Sequence, residues 1–277
     1  MGLSQLLSRA VEMYERSDYS VTSTSFMSPG EKTELYKELI ARIGNGISRC
    51  FFWGGNRGAE RCSAVFLPEW MDYESSPDHH MPLDEERTQW FAEFLEKEES
   101  ITDDIGITPL SVRGSGFRNL THRDFMGSIL GLGITRDVVG DIVVTSESEA
   151  VVFVSSKISE YLCSELTKVG RDAVTTERSN ISPLFEIQRK YDSYHVIVSS
   201  MRLDCVVKAI TGKSREISAD MIRQGMVELS YSKIIYVDKN VCEGDIVSIS
   251  GYGKYVIGSN EGNTHSGKIR LSIKKYI

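Results

Sequence analysis

Between Ser200 and Ile249 the chain alternates short basic helical stretches with short apolar runs, and no other segment restricts its fold as tightly. Ser200-Met201-Arg202-Leu203-Asp204 is followed by Ser214-Arg215 and by Ile222-Arg223-Gln224-Gly225-Met226-Val227, and the stretch closes on Gly244-Asp245-Ile246-Val247-Ser248-Ile249. Leu203, Val206, Val207, Ile210, Met221 and Ile222 fall at helical spacing and predict the packed faces of two adjacent helices. Arg202, Lys208, Arg215 and Arg223 decorate those helices, and Lys213 sits in the loop just before Ser214. Ser214 is expected to cap the second helix and leave its amide end favourable to a phosphate oxygen, while Arg215 reaches phosphate with a directional guanidinium fork. Asp204 would repel phosphate, so its expected partner is a local arginine or a backbone donor. Strands are expected at 226–229, 233–237 and 245–249, with Gly225 and Gly244 permitting tight entry turns.

Charge places the basic residues in the same region. The net charge of -7 argues against a phosphate partner for the chain as a whole. It hides an asymmetry: residues 1–106 carry 10 basic and 20 acidic side chains, residues 107–195 carry 10 and 11, and residues 196–277 carry 12 and 8. An acidic body with a basic, nucleic-acid-facing tail fits this pattern. The first residues, Met1-Gly2-Leu3-Ser4-Gln5, lack a basic segment followed by an apolar run, and no later apolar run approaches membrane-spanning length. The expectation is a cytoplasmic protein with no membrane partner. Cys50, Cys62, Cys163, Cys205 and Cys242 lie far apart without a CxxC pair, which predicts ordinary thiols and no zinc site.

A hydrophobic content of 40% over 277 residues supports two or three folded units. Residues 1–80 read as an N-terminal α/β region: an apolar helical stripe on Leu3, Leu6, Leu7, Ala10, Val11 and Tyr14, a second helix over 31–43, and strands at 50–53 and 64–67 around Gly54-Gly55-Asn56-Arg57-Gly58. A turn-rich stretch over 75–82 marks a boundary, and Asp84 is expected to cap the next helix. Residues 81–195 then read as strand, helix, two strands, helix and strand, with the last strands placed through Thr176 and near 194–198. That order suits an antiparallel sheet with helices on one face, an RRM-like layout among other α+β possibilities. Only Phe153 sits plausibly on one of its strands as an aromatic, so no base stacking is assigned there. The whole chain is therefore expected to be α+β.

Catalytic motifs fail on spacing, and no catalytic residue, cofactor or metal is expected. His122-Arg123-Asp124 has Ile129 where kinase chemistry needs an asparagine. Gly114-Ser115-Gly116-Phe117-Arg118-Asn119 lacks the last glycine of a dinucleotide loop, and Gly131-Leu132-Gly133 lacks a phosphate-binding lysine. His79-His80 near Asp72, Glu74 and Asp78 has no fixed ligand spacing.

The C-terminal pattern resembles the S4 domain, a small RNA-binding module, which would occupy 196–277. Leu120-Thr121-His122-Arg123-Asp124-Phe125-Met126-Gly127, Leu132-Gly133-Ile134-Thr135-Arg136-Asp137 and Gly140-Asp141-Ile142-Val143-Val144 resemble core motifs of the YlmH-type proteins, joined upstream by Phe52-Trp53-Gly54-Gly55 and Ala59-Glu60-Arg61. The resemblance implies a two-part N-terminal region, including an RRM-like domain, ahead of an S4 domain. It also implies a non-enzymatic RNA-binding protein associated with the large ribosomal subunit, with its rRNA and peptidyl-tRNA as partners during rescue of obstructed subunits. At the first strand turn, Leu229-Ser230-Tyr231 departs from the Val-Asn-Gly that the resemblance leads one to expect. The RNA-binding set is Arg202, Lys208, Lys213, Ser214, Arg215, Arg223, Lys254 and Tyr255. Gly251-Tyr252-Gly253-Lys254-Tyr255 fits either an RNA-edge contact or a structural hairpin, and Lys268, Arg270, Lys274 and Lys275 either widen the footprint or serve solubility. The alternative is an S4-containing RNA-modifying enzyme. Pseudouridine synthases resemble it but usually carry S4 ahead of the catalytic domain, and tyrosyl-tRNA synthetases need His-Ile-Gly-His and Lys-Met-Ser-Lys-Ser motifs that are absent here.

Overall fold

Helices cover both faces of a small antiparallel sheet in the first part of the chain, seen in a computed structural model that describes residues 3–71, 85–186 and 191–276. The elements are α1 (Leu3–Arg16), β1 (Thr22–Ser23), α2 (Pro29–Ile43), β2 (Cys50–Trp53), β3 (Ser63–Phe66), α3 (Glu85–Lys97) and α4 (Glu99–Ile105). Ser28 starts α2 through a capping box with Glu31, and Pro29 at the first helical position needs no amide partner there. The strands pair in the order β1-β3-β2. Alternation along β2 and β3 sends Phe52, Ala64 and Phe66 toward Leu6, Ala10, Leu35 and Leu39, and sends Phe51, Trp53 and Val65 toward Phe91, Leu95, Ile101 and Ile105. The expected boundary at 80/81, the Asp84 cap and the His79-His80 group lie outside the described residues. The helix that follows them, α3, packs on this sheet.

Next come β4 (Ile107–Gly114), α5 (His122–Gly131), β5 (Val139–Val144), β6 (Glu149–Ser155), α6 (Ser156–Glu165), β7 (Lys168–Val169) and β8 (Asp172–Arg178), forming an antiparallel sheet in the order β5-β6-β4-β8-β7. Leu110, Val112, Val152 and Val154 meet Phe125, Ile129 and Leu162 of the helices on one face. His122-Arg123-Asp124 is the first turn of α5: the Asp124 carboxylate accepts from Thr121 N at 2.8 Å and Oγ1 at 2.6 Å, bonds that hold it below the ordinary carboxylate range. All of these elements belong to one compact unit, Met1–Ile187.

The second unit, Gln188–Ile277, holds β9 (Tyr191–Val198), α7 (Leu203–Thr211), α8 (Arg215–Arg223), β10 (Val227–Leu229), β11 (Ser232–Lys233), β12 (Ile246–Ile249), β13 (Gly253–Asn263) and β14 (Ile269–Tyr276). Its six strands run β11-β10-β12-β13-β14-β9. The expected strand near 194–198 is β9, and it pairs with β14 in this sheet rather than with β8. Leu203, Val206, Val207, Met221 and Ile222 pack on Val227, Val247, Ile257, Leu271 and Ile273, as their spacing predicts. The strand expected over 233–237 stops at Lys233, because the carbonyls of Val237 and Lys239 instead accept from the first amides of α7.

The β10–β11 turn explains the missing Asn-Gly. Ser230 (φ 45°) and Tyr231 (φ 65°) both take positive φ between the paired Leu229 and Ser232, the condition of a type I′ hairpin. The Ser230 hydroxyl donates to Asp245 Oδ1 at 2.8 Å and Lys254 Nζ lies 4.9 Å from the Tyr231 ring centroid, contacts that hold two non-glycine residues in a glycine conformation.

Candidate nucleic-acid interface

The starts of α7 and α8 converge on one carboxylate. Asp204 is 3% exposed; its Oδ1 accepts from Arg202 Nε at 3.2 Å, and its Oδ2 accepts from Arg202 Nη2 at 3.2 Å and Arg215 Nε at 3.0 Å. Burial pushes this carboxyl group up, but the hydrogen bonds from the two arginines outweigh it and hold Asp204 below the usual carboxylate range. The Arg202 guanidinium is in turn raised by its hydrogen bond to Asp204. Asp204 therefore orients the two cations, as its sequence context suggests, while their side chains stay 38% and 56% exposed. A guanidinium has five N–H donors, so each arginine keeps donors for a phosphate after bonding Asp204.

The surroundings set the limits of this patch. Leu203 N donates to Lys239 O at 2.8 Å and Asp204 N to Val237 O at 3.1 Å, so these amides at the start of α7 are occupied. Ser214 caps α8 as expected, its hydroxyl accepting from Ile217 N at 3.2 Å. Lys208, one turn beyond Asp204, and Lys213 are exposed beside the pair. Arg223 lies at the far end of α8, about 12 Å along the helix axis from Arg215, and its Nη1 donates to Asp220 at 2.8 Å. The structure does not gather it with the others.

Two expected contacts change on placement. Tyr255 is 3% exposed, sits in the core of the second unit and donates its hydroxyl to Tyr252 O at 2.8 Å, so it has no ring face to offer a base. Lys254 has its ammonium 4.9 Å from the ring centroids of both Tyr231 and Tyr276. Ile249 pairs with Gly253, which makes 251–255 a β12–β13 hairpin. Leu271 and Ile273 face the core beneath α7 and α8, and strand alternation puts exposed Arg270 and Lys274 on the opposite face of the sheet, away from the arginine pair. Tyr236, expected on a strand, is 68% exposed in the loop whose carbonyls cap α7.

In the first unit, the motif residues converge on a different structure. Arg61 Nε donates to Val139 O at 3.0 Å, and Nη2 to Arg136 O at 3.1 Å and Phe26 O at 3.4 Å. Asp141 accepts from the amides of Glu60 at 2.7 Å and Arg61 at 3.1 Å. Arg136 Nη1 donates to Val139 O and Gly140 O, both at 3.2 Å. Burial, reinforced by the neighbouring Arg61 charge, lowers Arg136 to about 10, and burial also lowers Arg61. A side chain on Gly55 would run into the Phe153 ring, and one on Gly140 into Phe26. These glycines let the first sheet's loops lie directly on β5 and β6. Phe153 is buried by that contact, in keeping with the absence of an assigned stacking role.

Residues 102–183 match a family described as "Putative RNA-binding domain in YlmH". The chain is 27% identical over 262 residues to the Bacillus subtilis protein named "Ribosome-associated protein quality control protein P2", covering 93% of this chain and 88% of that one. A solved structure titled "Cell division protein ylmH from Streptococcus pneumoniae" is 21% identical, with a TM-score of 0.43 over 64% of this chain and 89% of that chain.

Proposed function

We propose, from the premise that this chain belongs to the YlmH-type RNA-binding proteins, that it binds the large ribosomal subunit and acts there by recognition, without catalysis, in rescue of obstructed subunits. The observation that carries this reading is the Arg202–Asp204–Arg215 cluster, two oriented guanidinium groups on adjacent helices beside exposed Lys208 and Lys213. Such a pair matches two phosphates of folded RNA by shape. The relative's printed name, a ribosome-associated quality control protein, gives that RNA a context.

In this reading the chain has three parts. The N-terminal α/β region occupies roughly residues 1–80, extended by the helices that pack on its sheet. Within the 81–195 segment, the part from β4 to β8 is RRM-like, a reading supported by its strand-helix-strand-strand-helix-strand order and the β5-β6-β4-β8 arrangement, while β9 at the end of that segment pairs with β14 of the second unit. The S4 domain takes 196–277 together with the rest of β9, with α7 and α8 as its RNA-facing helices. Its rRNA contact falls to Arg202, Lys208, Lys213, Ser214 and Arg215, and peptidyl-tRNA is a second partner. Work beside ribosomes implies a cytoplasmic location, and no described helix is long and apolar enough to cross a membrane.

Co-sedimentation of the full chain with intact ribosomes, separated large subunits and large subunits carrying peptidyl-tRNA tests this reading. The expected result is strongest retention by the peptidyl-tRNA-bearing subunit, reduced in the variant Arg202→Gln, Asp204→Asn, Arg215→Gln. No retention by the large subunit in any state overturns it.

A further inference from the structure

The loop between β4 and α5 carries a phenylalanine that the fold leaves in water. Phe117 is 91% exposed, yet its loop is anchored at both ends. At one end Ser115 N donates to Asp172 Oδ2 at 3.1 Å, its hydroxyl donates to Asp172 Oδ1, and Phe117 N donates to the same hydroxyl at 3.4 Å. At the other, Leu120 is buried and its amide donates to Glu147 O at 2.6 Å. Between these anchors the chain arches from the β7–β8 turn to the β5–β6 turn at one end of the sheet. The ring is therefore held out on a fixed support, where an apolar side chain contributes nothing to the core.

Arginines lie on this loop and on the segments next to it. Arg118 follows Phe117 directly, and Arg171 precedes the Asp172 that anchors the loop; both are exposed, and neither makes an ion pair or hydrogen bond among the described residues. Arg123 is exposed on the first turn of α5, and Arg113 at the end of β4 pairs with Glu177 at 3.6 Å. The nearby acids are already engaged: Asp172 with Ser115, Asp124 with Thr121, and Glu177 with Arg113, leaving Glu147 and Glu149 on the β5–β6 turn. A flat apolar ring with two uncommitted guanidinium groups suits an unpaired base, whose π-face meets the ring while the flanking phosphates meet the cations.

The face of this sheet away from its helices is closed at its centre, where Phe153 and Gly140 lie under Gly55 and Phe26. Its open part, around Ser111, Arg113, Val151 and Thr175, has no aromatic side chain. RNA that reaches this region must then be read at the end of the sheet. We propose that the anchored loop 115–119 is a second RNA contact, in which an unpaired nucleotide stacks on Phe117 and its phosphates are held by Arg118 and Arg171. This inference rests on the RNA-binding reading above and adds a preference for single-stranded or looped RNA.

The test uses the full chain and two labelled probes at fixed salt, an RNA hairpin with an unpaired loop and a blunt duplex of the same stem, followed by fluorescence anisotropy. Phe117→Ala is expected to weaken hairpin binding about tenfold and duplex binding hardly at all, since stacking of one base is at stake. Phe117→Trp should retain hairpin affinity. Arg118→Ala with Arg171→Ala should weaken hairpin binding and lower the log–log salt slope by about 1.5. Circular dichroism checks the fold, which an exposed ring does not support. Hairpin affinity unchanged in Phe117→Ala, while the Arg202→Gln, Asp204→Asn, Arg215→Gln variant binds more weakly, overturns the loop contact and leaves the S4 reading standing. The same holds if Phe117→Ala loses only a ribosomal protein partner. Wild-type protein that binds neither probe nor the large subunit overturns both.

Discussion

Each unit of this protein sets two arginines beside an aspartate, and the fate of the guanidinium donors separates them. In the first unit Arg61 and Arg136 give their hydrogen bonds to the carbonyls of Phe26, Arg136, Val139 and Gly140, while Asp141 takes backbone amides. Those charges hold loops of two sheets together. In the second unit Arg202 and Arg215 share the buried carboxylate of Asp204 and keep donors in solvent. Burial, which lowers Arg61 and Arg136, marks the first set as structural. Similar residues thus build an internal clamp or a solvent-facing pair of cations according to whether backbone or side chain receives their hydrogen bonds.

The largest expected effect breaks the clamp. Arg61→Leu removes three hydrogen bonds from a charged donor and leaves the carbonyls of Phe26 and Arg136 without one, while Arg136 still reaches Val139 O; hydrogen bonds from charged groups contribute about 1.5–3 kcal/mol each. Loss of about 3 kcal/mol from the first unit is the expected outcome in urea unfolding, with the second unit's RNA affinity unchanged. Equal losses of stability and affinity would erase the distinction between the two clusters.

The second cluster gives the opposite profile. Asp204→Ala removes a negative charge beside the proposed phosphate contacts, so simple electrostatics predicts tighter RNA binding. Because Asp204 orients both guanidinium groups, the expected result is binding several-fold weaker, read by anisotropy at one salt concentration. Removing both arginines while keeping Asp204 would strand a buried carboxylate, so charge tests there need Asp204→Asn alongside. Acid should expose the same link. Asp204 is depressed in the folded state, so its contribution is complete above the unfolded value of about 3.9 and is lost as pH falls through the lower folded value. A urea midpoint that drops between pH 5 and pH 3 in the wild type, and drops less in Asp204→Asn, is the expected pattern.

Legibility in the sequence followed the range of the interactions. Helical spacing found α7 and α8 and their packed faces, and Ser214 was recognisable as a cap because capping is local. The unbroken apolar runs at 50–53 and 64–67 found β2 and β3, but could not show that α3 covers one of their faces. Ala59-Glu60-Arg61 stood out as a motif, yet its partners lie some 80 residues away at Val139 and Asp141, beyond any local signal. Tyr255 looked like a stacking ring because lysine and glycine flank it; strand register turned it inward. Tyr236 shows the reverse case, an apparent strand residue that lies exposed in the loop whose carbonyls cap α7. Charge composition marked the C-terminal region as the basic one, while only tertiary placement separated Arg215 from Arg270.

The smallest expected effect separates stability from binding inside the second unit. Ser230 and Tyr231 occupy positive φ with side chains that disfavour it, at a cost on the order of 1–3 kcal/mol for each residue. Ser230→Asn with Tyr231→Gly restores residues suited to both positions of a type I′ turn. The exchange also removes the Tyr231 ring from Lys254, a half-buried cation–π contact worth about 1 kcal/mol, and the Ser230 bond to Asp245. A net gain of about 1 kcal/mol should appear as a higher urea midpoint for the unfolding of this unit. Neither substitution touches Arg202, Asp204 or Arg215, so RNA affinity and its salt slope should stay at the wild-type value. Affinity that falls with the turn exchange would move Tyr231 and Lys254 into the RNA-binding surface and extend the contact from the helices to the β10–β11 hairpin.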